Sequence, residues 1–290
     1  MATKITAAMV KQLREMTDSP MMECKKALVE ADGDIDKAVD VLRKMGVAKA
    51  VKRAGRDTNE GTVAAYISED GKKAALLELS CETDFVGTNP KFVGFATKLA
   101  GVVAENNPAD VDALKALPMA QTTVADELTE QIHLFGENMK ILRFVARSTE
   151  NGAFGSYIHN GGKIGFIVEF SFTKPETGAN EEFKTFAHDV ALHVAAVNQI
   201  SARREEVPAE TIEHEMSIYK AQAAESGKPE AIQERIAQGR MEKFYKESVL
   251  TEQEFVKNPD VTVGQLASQV SKSLDDTIEV VKFDRFEFGE

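Results

Sequence analysis

The spacing of apolar residues changes several times along the chain, and each change marks an element. In "MATKITAAMVKQLREMT", Ile5, Met9 and Leu13 recur at a spacing of four, which predicts an amphipathic helix ending near Thr17. "SPMMECKKALVEA" predicts a second helix with Pro20 early in it. "IDKAVDVLRKMG" predicts a third, capped by Asp34 after the turn "DGD". These three helices make a module of residues 1–55, the kind of small unit that binds partners. Asp32, Asp34 and Asp36 read as turn and cap, because the rest of a calcium loop is missing.

Beyond it the pattern turns strand-like and repeats. "GTVAAYISEDGKKAALLELS" begins at Gly61 and "GAFGSYIHNGGKIGFIVEFS" at Gly152, an offset of 91. The register holds without a gap to Ala104 and Ala195, through Tyr66/Tyr157, Gly71/Gly162, Glu78/Glu169, Asn89/Asn180, Phe92/Phe183 and Phe95/Phe186. A register kept through strands, loop and helix indicates a duplicated unit. Each copy reads strand, tight turn, strand, loop, helix. Asn89 and Asn180 stand as N-caps, and Pro90 at a first helical position. Val124–Phe144 and Leu266–Phe286 continue the likeness at an offset of 142, so the second copy carries 51 extra residues. The fold class is therefore α+β: the helical module, then subdomains over 56–150 and 151–290, each a three-stranded antiparallel sheet with helices on one face.

The extra residues read as an antiparallel helical hairpin over about 208–250. Ile212, Met216, Tyr219 and Ala223 line one helix, and Ile232, Ile236, Met241 and Phe244 the other, with "SGKP" turning the chain between them. The narrow stripes favour a coiled-coil-like hairpin projecting from its subdomain over one folded flat upon it.

Composition narrows the function. Hydrophobic content of 43% and charged content of 28% are those of an ordinary globular protein. A net charge of −12 opposes general nucleic-acid binding. The best basic stretch, Lys44 to Arg56, has no aromatic residues to stack bases and reads as a solvated helix end or linker. Cys24 and Cys81 lack metal spacing, which suggests a reduced, cytoplasmic setting. No signal-peptide core or membrane span is apparent.

Chemistry is scarce. Phosphate-binding glycine loops, a nucleophile elbow and the zinc motif H-E-x-x-H are missing. His188 and His193 are five apart and do not share a helix face, so packing or surface roles suit them. Cys81 sits beside Glu82 and Asp84, which would raise a thiol pKa. An enzyme is disfavoured, and no cofactor or metal is called for.

One loop departs from the polar rule. In "ELSCETDFVGTNPKF", Thr83, Asp84, Phe85 and Val86 correspond to Lys174, Pro175, Glu176 and Thr177 of the second copy. A core plug would have an apolar residue at 176. Phe85 therefore faces outward as an anchor for a partner's pocket, or tucks over the N-terminal module.

Here the residues resemble a known family. "ELSCETDFVGTN" is similar to the Thr-Asp-Phe-Val signature of bacterial elongation factor Ts. "LREMTDSPMMECKKALVEADGDIDKAVDVLRKMG" resembles that family's ubiquitin-associated-like N-terminal module. The duplicated core, the helical hairpin and "RFEFGE" follow in the family's order. Departures fall at Ser80, Gly87, Lys163 and Gln199, and some members continue beyond the strand that ends here near Glu290.

The resemblance implies a translation elongation factor and guanine nucleotide exchange factor, without catalysis of its own, acting on the GTPase elongation factor Tu. By this likeness Asp84 and Phe85, supported by Thr83 and Val86, enter the GTPase and disturb its magnesium site, releasing GDP. Leu13, Arg14, Met21 and Met22 of the N-terminal module would touch another helix of the GTPase, and His159 a further part. No nucleic acid or membrane partner is implied, and homodimerisation is left undetermined. A binding protein of adaptor or chaperone type is the alternative reading, with a Cys81 hydrolase a distant third.

Overall fold

The structure, a computed structural model, describes residues 4–17 and 19–290. It is an α+β fold that opens with α1 (Ala7–Thr17), α2 (Met21–Glu30) and α3 (Ile35–Arg53). Residues 1–3 of the first predicted helix lie outside the described residues. Val10, Leu13, Cys24, Ala27, Leu28, Ala38 and Leu42 close a small core among these helices. The Asp34 side chain accepts from the Lys37 N–H at 3.0 Å, so it caps α3. Asp32 is left-handed (φ 51°) and turns the chain between α2 and α3.

The basic stretch ends α3 and is partly consumed inside the fold. Arg53 donates to the Ile132 carbonyl at 2.9 Å, Lys49 pairs with Glu23, and Arg56 pairs with Glu82. A wholly solvated helix end is thus too simple a reading of it.

The chain divides into two compact units, one of residues 1–64, 77–144 and 288–290, the other of 65–76 and 145–287. The first copy of the repeat runs β1 (Glu60–Ile67), β2 (Lys73–Cys81), α4 (Asp84–Gly87), α5 (Pro90–Asn106) and α6 (Val111–Ala116). A minute hairpin of β3 (Pro118–Met119) and β4 (Thr122–Thr123) follows, then α7 (Val124–Phe135) and β5 (Lys140–Ser148). The strands form a sheet of order β1-β2-β5. Phe92, Phe95, Leu99 and Val103 form the buried face of α5, and Phe92 meets Phe135 edge to face at 6.2 Å.

The second copy runs β6 (Gly152–His159), β7 (Ile164–Ser171), α8 (Glu181–Ala196), α9 (Ala209–Ala224) and α10 (Glu230–Ser248). It ends in β8 (Glu254–Phe255), β9 (Asn258–Thr262), α11 (Val263–Ser273) and β10 (Glu279–Glu287). Its sheet has the matching order β10-β7-β6, with both pairings antiparallel. Phe170, Phe172, Phe183 and Phe186 meet edge on or tilted at 5.2–6.4 Å and fill its core.

The duplication reaches single atoms. A Cβ on Gly61 would stand 2.2 Å from the Leu79 carbonyl oxygen, and one on Gly152 would stand 2.0 Å from the Phe170 oxygen. Both the glycines and the carbonyls are partners at the offset of 91. Each copy therefore needs glycine where its first strand passes close to its second.

The inserted helices α9 and α10 pack chiefly on each other. Only Ala223, Ala237 and Met241 of the two are buried, while Ile212, Met216, Tyr219 and Ile236 are half-buried and Ile232 is exposed. The hairpin base is pinned by Ile200 N–H to the Ser248 carbonyl (2.8 Å) and Leu250 N–H to the Ser201 carbonyl (3.0 Å). Beside it lies buried His193. Its Nδ1 accepts from the Val256 N–H at 3.1 Å, so the ring proton is on Nε2, which faces Gln253 Oε1 at 3.0 Å. Burial pushes the His193 pKa down, against the Gln253 hydrogen bond.

Candidate functional site

The loop that breaks the polar rule is held at its stem and free at its tip. At the end of β2, Glu82 and Thr83 meet the loop between α7 and β5. Glu137 Oε2 accepts from the N–H of Glu82 at 3.1 Å and of Thr83 at 3.0 Å, and its Oε1 accepts from the Thr83 hydroxyl at 2.6 Å. Glu82 answers: its Oε1 accepts from the Asn138 N–H at 2.6 Å and lies 3.3 Å from Arg56 Nη1. The Asn138 amide, on a buried residue, donates to the Arg56 carbonyl at 2.9 Å. Hydrogen bonds to an ionised acceptor are the strong kind, so the stem is fixed from both sides.

Thr83 is extended (φ −127°, ψ 154°), and the chain then makes the single helical turn α4. Gly87 N–H closes on the Thr83 carbonyl at 3.0 Å and Thr88 N–H on the Asp84 carbonyl at 2.9 Å. Asp84 Oδ1 accepts from the Phe85 N–H at 2.9 Å. Asn89 accepts from the Lys91 N–H at 2.9 Å and begins α5. Val86 and Gly87 turn inward and are buried, and a Cβ on Gly87 would lie 3.3 Å from the Gly61 backbone. Asp84 and Phe85 turn outward, and Phe85 is 84% exposed. Phe85 therefore does not tuck over the N-terminal module.

The other candidate residues are dispersed. Met21 and Met22 are exposed at the start of α2, and Arg14 is exposed on α1. Leu13 is not: it is wholly buried in the three-helix core, and its role is packing. Its spacing of four from Met9 sets it on the inward face of α1, so its side chain is not open to a partner. Val86 likewise anchors the loop from within. His159 is exposed at the end of β6, its Nδ1 3.4 Å from the Tyr157 hydroxyl.

The module carrying Met21 and Met22 meets α7 through half-buried Glu23 and buried His133. Lys49 pairs with Glu23, and Glu23 Oε2 lies 3.3 Å from His133 Nε2 without hydrogen-bond geometry. Burial lowers the His133 pKa, against the attraction of Glu23.

Cys81 is buried, with its thiol directed at the Thr83 carbonyl at 3.1 Å. Among the described residues no group of His, Cys, Asp and Glu is arranged to hold a metal ion. Among them, too, no helix is long and apolar enough to cross a membrane.

Glu137 escaped the sequence reading. The offset of 142 that aligns α7 with α11 sets Glu137 against Glu279. The residue that fills its place is Asp276. Its carboxylate accepts from the N–H of Thr173 (3.0 Å) and Lys174 (3.1 Å) and from the hydroxyls of Thr173 and Thr177. An acid near the end of each helix was the available signal, hidden by a shift of three positions.

Comparison with known proteins decides the family. The family model described as Elongation factor TS matches residues 82–290, starting in this loop. A protein named Elongation factor Ts from Trichlorobacter lovleyi is 45% identical over 289 residues, covering 99% of this chain and 93% of its own. One of the same name from Clostridium botulinum is 45% identical over 287 residues, with the same coverages. The chain belongs to the elongation factor Ts family. It is accordingly a translation elongation factor. The relatives also span α1–α3, which the family model leaves out.

Proposed function

We propose that this chain binds the GTPase elongation factor Tu in its GDP state and speeds GDP release, with Asp84 and Phe85 entering the GTPase and disturbing its magnesium site. The observation that carries this reading is the bare Phe85 ring, 84% exposed on a turn whose stem is held by Glu137 and whose far end is buried through Val86. A fixed anchor loses little conformational freedom on docking. Burying the ring contributes about 1.5–3 kcal/mol. That energy shifts the GTPase only if it is gained in the open, nucleotide-releasing state. Magnesium bridges protein and phosphates, so displacing its ligands weakens nucleotide binding without competition at the base. By reciprocity, GDP weakens the factor's own binding to the same degree. Such exchange is a binding equilibrium and needs no catalytic group on this chain.

Met21, Met22 and Arg14 supply a second contact from the N-terminal module, and His159 and the α9–α10 hairpin further ones. The test is the release of fluorescent GDP from elongation factor Tu. Phe85→Ala should fold normally, keep most of its affinity, and slow release by about tenfold or more, as the burial energy requires. Full exchange by this variant would leave an adaptor as the better reading.

A further inference from the structure

The loop in which the exchange residues lie does not support itself. Its turn has a few internal hydrogen bonds and one inward side chain, Val86, while the Asp84 and Phe85 side chains are exposed. What fixes their direction is the pair of peptide units just before them, and these are held by one side chain from another element. Glu137 gathers three donors from Glu82 and Thr83 at 2.6–3.1 Å. Thr83 is also the N-cap of α4, and its carbonyl receives the Gly87 N–H. Rotating its peptide would therefore swing the whole turn.

We infer that Glu137 is the positioning residue of the exchange loop: its carboxylate locks the Glu82–Thr83 backbone and so sets the direction in which Asp84 and Phe85 are presented to the nucleotide-binding partner. This rests on the function proposed above. Asn138 and Glu82 complete the lock from the opposite side. The molecule also contains its own control. Asp276 holds the second copy's loop by the two equivalent backbone N–H groups, with hydroxyls of its own, but the side chains at the tip there are Pro175 and Glu176. Loss of either carboxylate loosens one loop of the scaffold, and only loss of Glu137 misdirects Phe85.

The experiment measures fluorescent-GDP release from elongation factor Tu against factor concentration, for Glu137→Ala, Glu137→Gln, Asp276→Ala, Phe85→Ala and the double variant Phe85→Ala/Glu137→Ala. Misplacement of about 1 Å in a reacting geometry costs up to about a hundredfold, so Glu137→Ala should lower the maximal rate by about tenfold or more. The half-saturating concentration should move by less than about threefold, since the other contacts remain. Glu137→Gln keeps an oxygen for the two N–H donors and should restore part of the rate, which also covers the case of an alanine variant that folds poorly. Asp276→Ala should stay within about twofold of the parent. The double variant should be slower than Phe85→Ala alone by clearly less than the loss in Glu137→Ala, since only Asp84 is then left to misdirect. An undiminished maximal rate in Glu137→Ala would overturn the inference. So would an equal loss in Asp276→Ala, or full additivity in the double variant. If Phe85→Ala itself exchanges normally, it is the proposed function that fails, and the two failures are told apart.

Discussion

The loops at Glu82–Asn89 and Thr173–Asn180 are one piece of scaffold used twice. Both leave the central strand of a three-stranded sheet, both are held by a carboxylate from the segment before the last strand, and both end on an asparagine that caps a helix. Glycine follows at equivalent places, Gly87 and Gly178. They differ at the tip. In the first copy Asp84 and Phe85 stand out bare; in the second, Pro175 and Glu176 make an ordinary polar turn. The frame can therefore be folded without the aromatic residue. Phe85 contributes little to its own unit, and its presence calls for an explanation outside it.

That comparison is broken most sharply by exchanging the tips. Asp84→Pro with Phe85→Glu gives the first loop the second loop's residues while keeping Thr83 for Glu137 and Val86 for the core. Proline suits the first position of a helical turn, and the extended Thr83 before it is the conformation a following proline favours. Thermal unfolding should be nearly unchanged, while GDP release from elongation factor Tu falls by about a hundredfold, more than for Phe85→Ala because the carboxylate goes too. The reverse exchange, Pro175→Asp with Glu176→Phe, should create no activity. Exchange surviving the first replacement would show that the tip is not the working part.

The contrast between tip and frame also separates stability from function within four residues. Gly87→Ala sets a Cβ 3.3 Å from the Gly61 backbone, which has no side-chain freedom to yield, and overpacking of this kind costs about 1–3 kcal/mol. Val86→Ala empties a buried site and should cost roughly 1–3 kcal/mol. Phe85→Ala, at an exposed position, should stay within about 0.5 kcal/mol. Urea denaturation of the three variants gives the ranking directly. A Phe85→Ala variant as unstable as Val86→Ala would mean that the ring packs on its own protein.

Much of this was legible in the sequence because duplication is a strong internal standard. Register kept from Gly61/Gly152 to Ala104/Ala195 fixed the strands, the turn and the first helix of each copy, and three-residue and four-residue spacings fixed α1–α3 and the hairpin. What escaped has physical reasons. Strands β3–β4 and β8–β9 are too short to carry a period. Leu13 lies on the apolar stripe of α1, and a stripe says that a residue is in contact but not whether its partner is the module's own core. Glu137 and Asp276 do the same work from non-equivalent positions, because a side-chain carboxylate can reach one loop from several backbone points. Hydrogen bonds between distant segments leave no periodic trace.

The smallest expected effect concerns what the second copy has and the first lacks. His193 corresponds to Val102 in the repeat, and only the second copy buries an imidazole under the base of its inserted hairpin. Its pKa is lowered from 6.5 by burial, so the unfolded chain takes up the proton before the folded one does. The sign follows: its contribution to stability is complete above about pH 6.5 and is lost as the pH falls towards the folded value, with a slope of at most about 1.4 kcal/mol per pH unit. Protonation would also place a second N–H at Nδ1, against the Val256 N–H that it now accepts. His193→Gln should therefore flatten the acid side of the stability profile between about pH 5 and 7, whatever constant loss of about 1–3 kcal/mol the replaced buried ring brings at pH 8. Urea midpoints at several pH values read the difference. An unchanged acid slope would show that His193 does not carry the acid-side loss of stability.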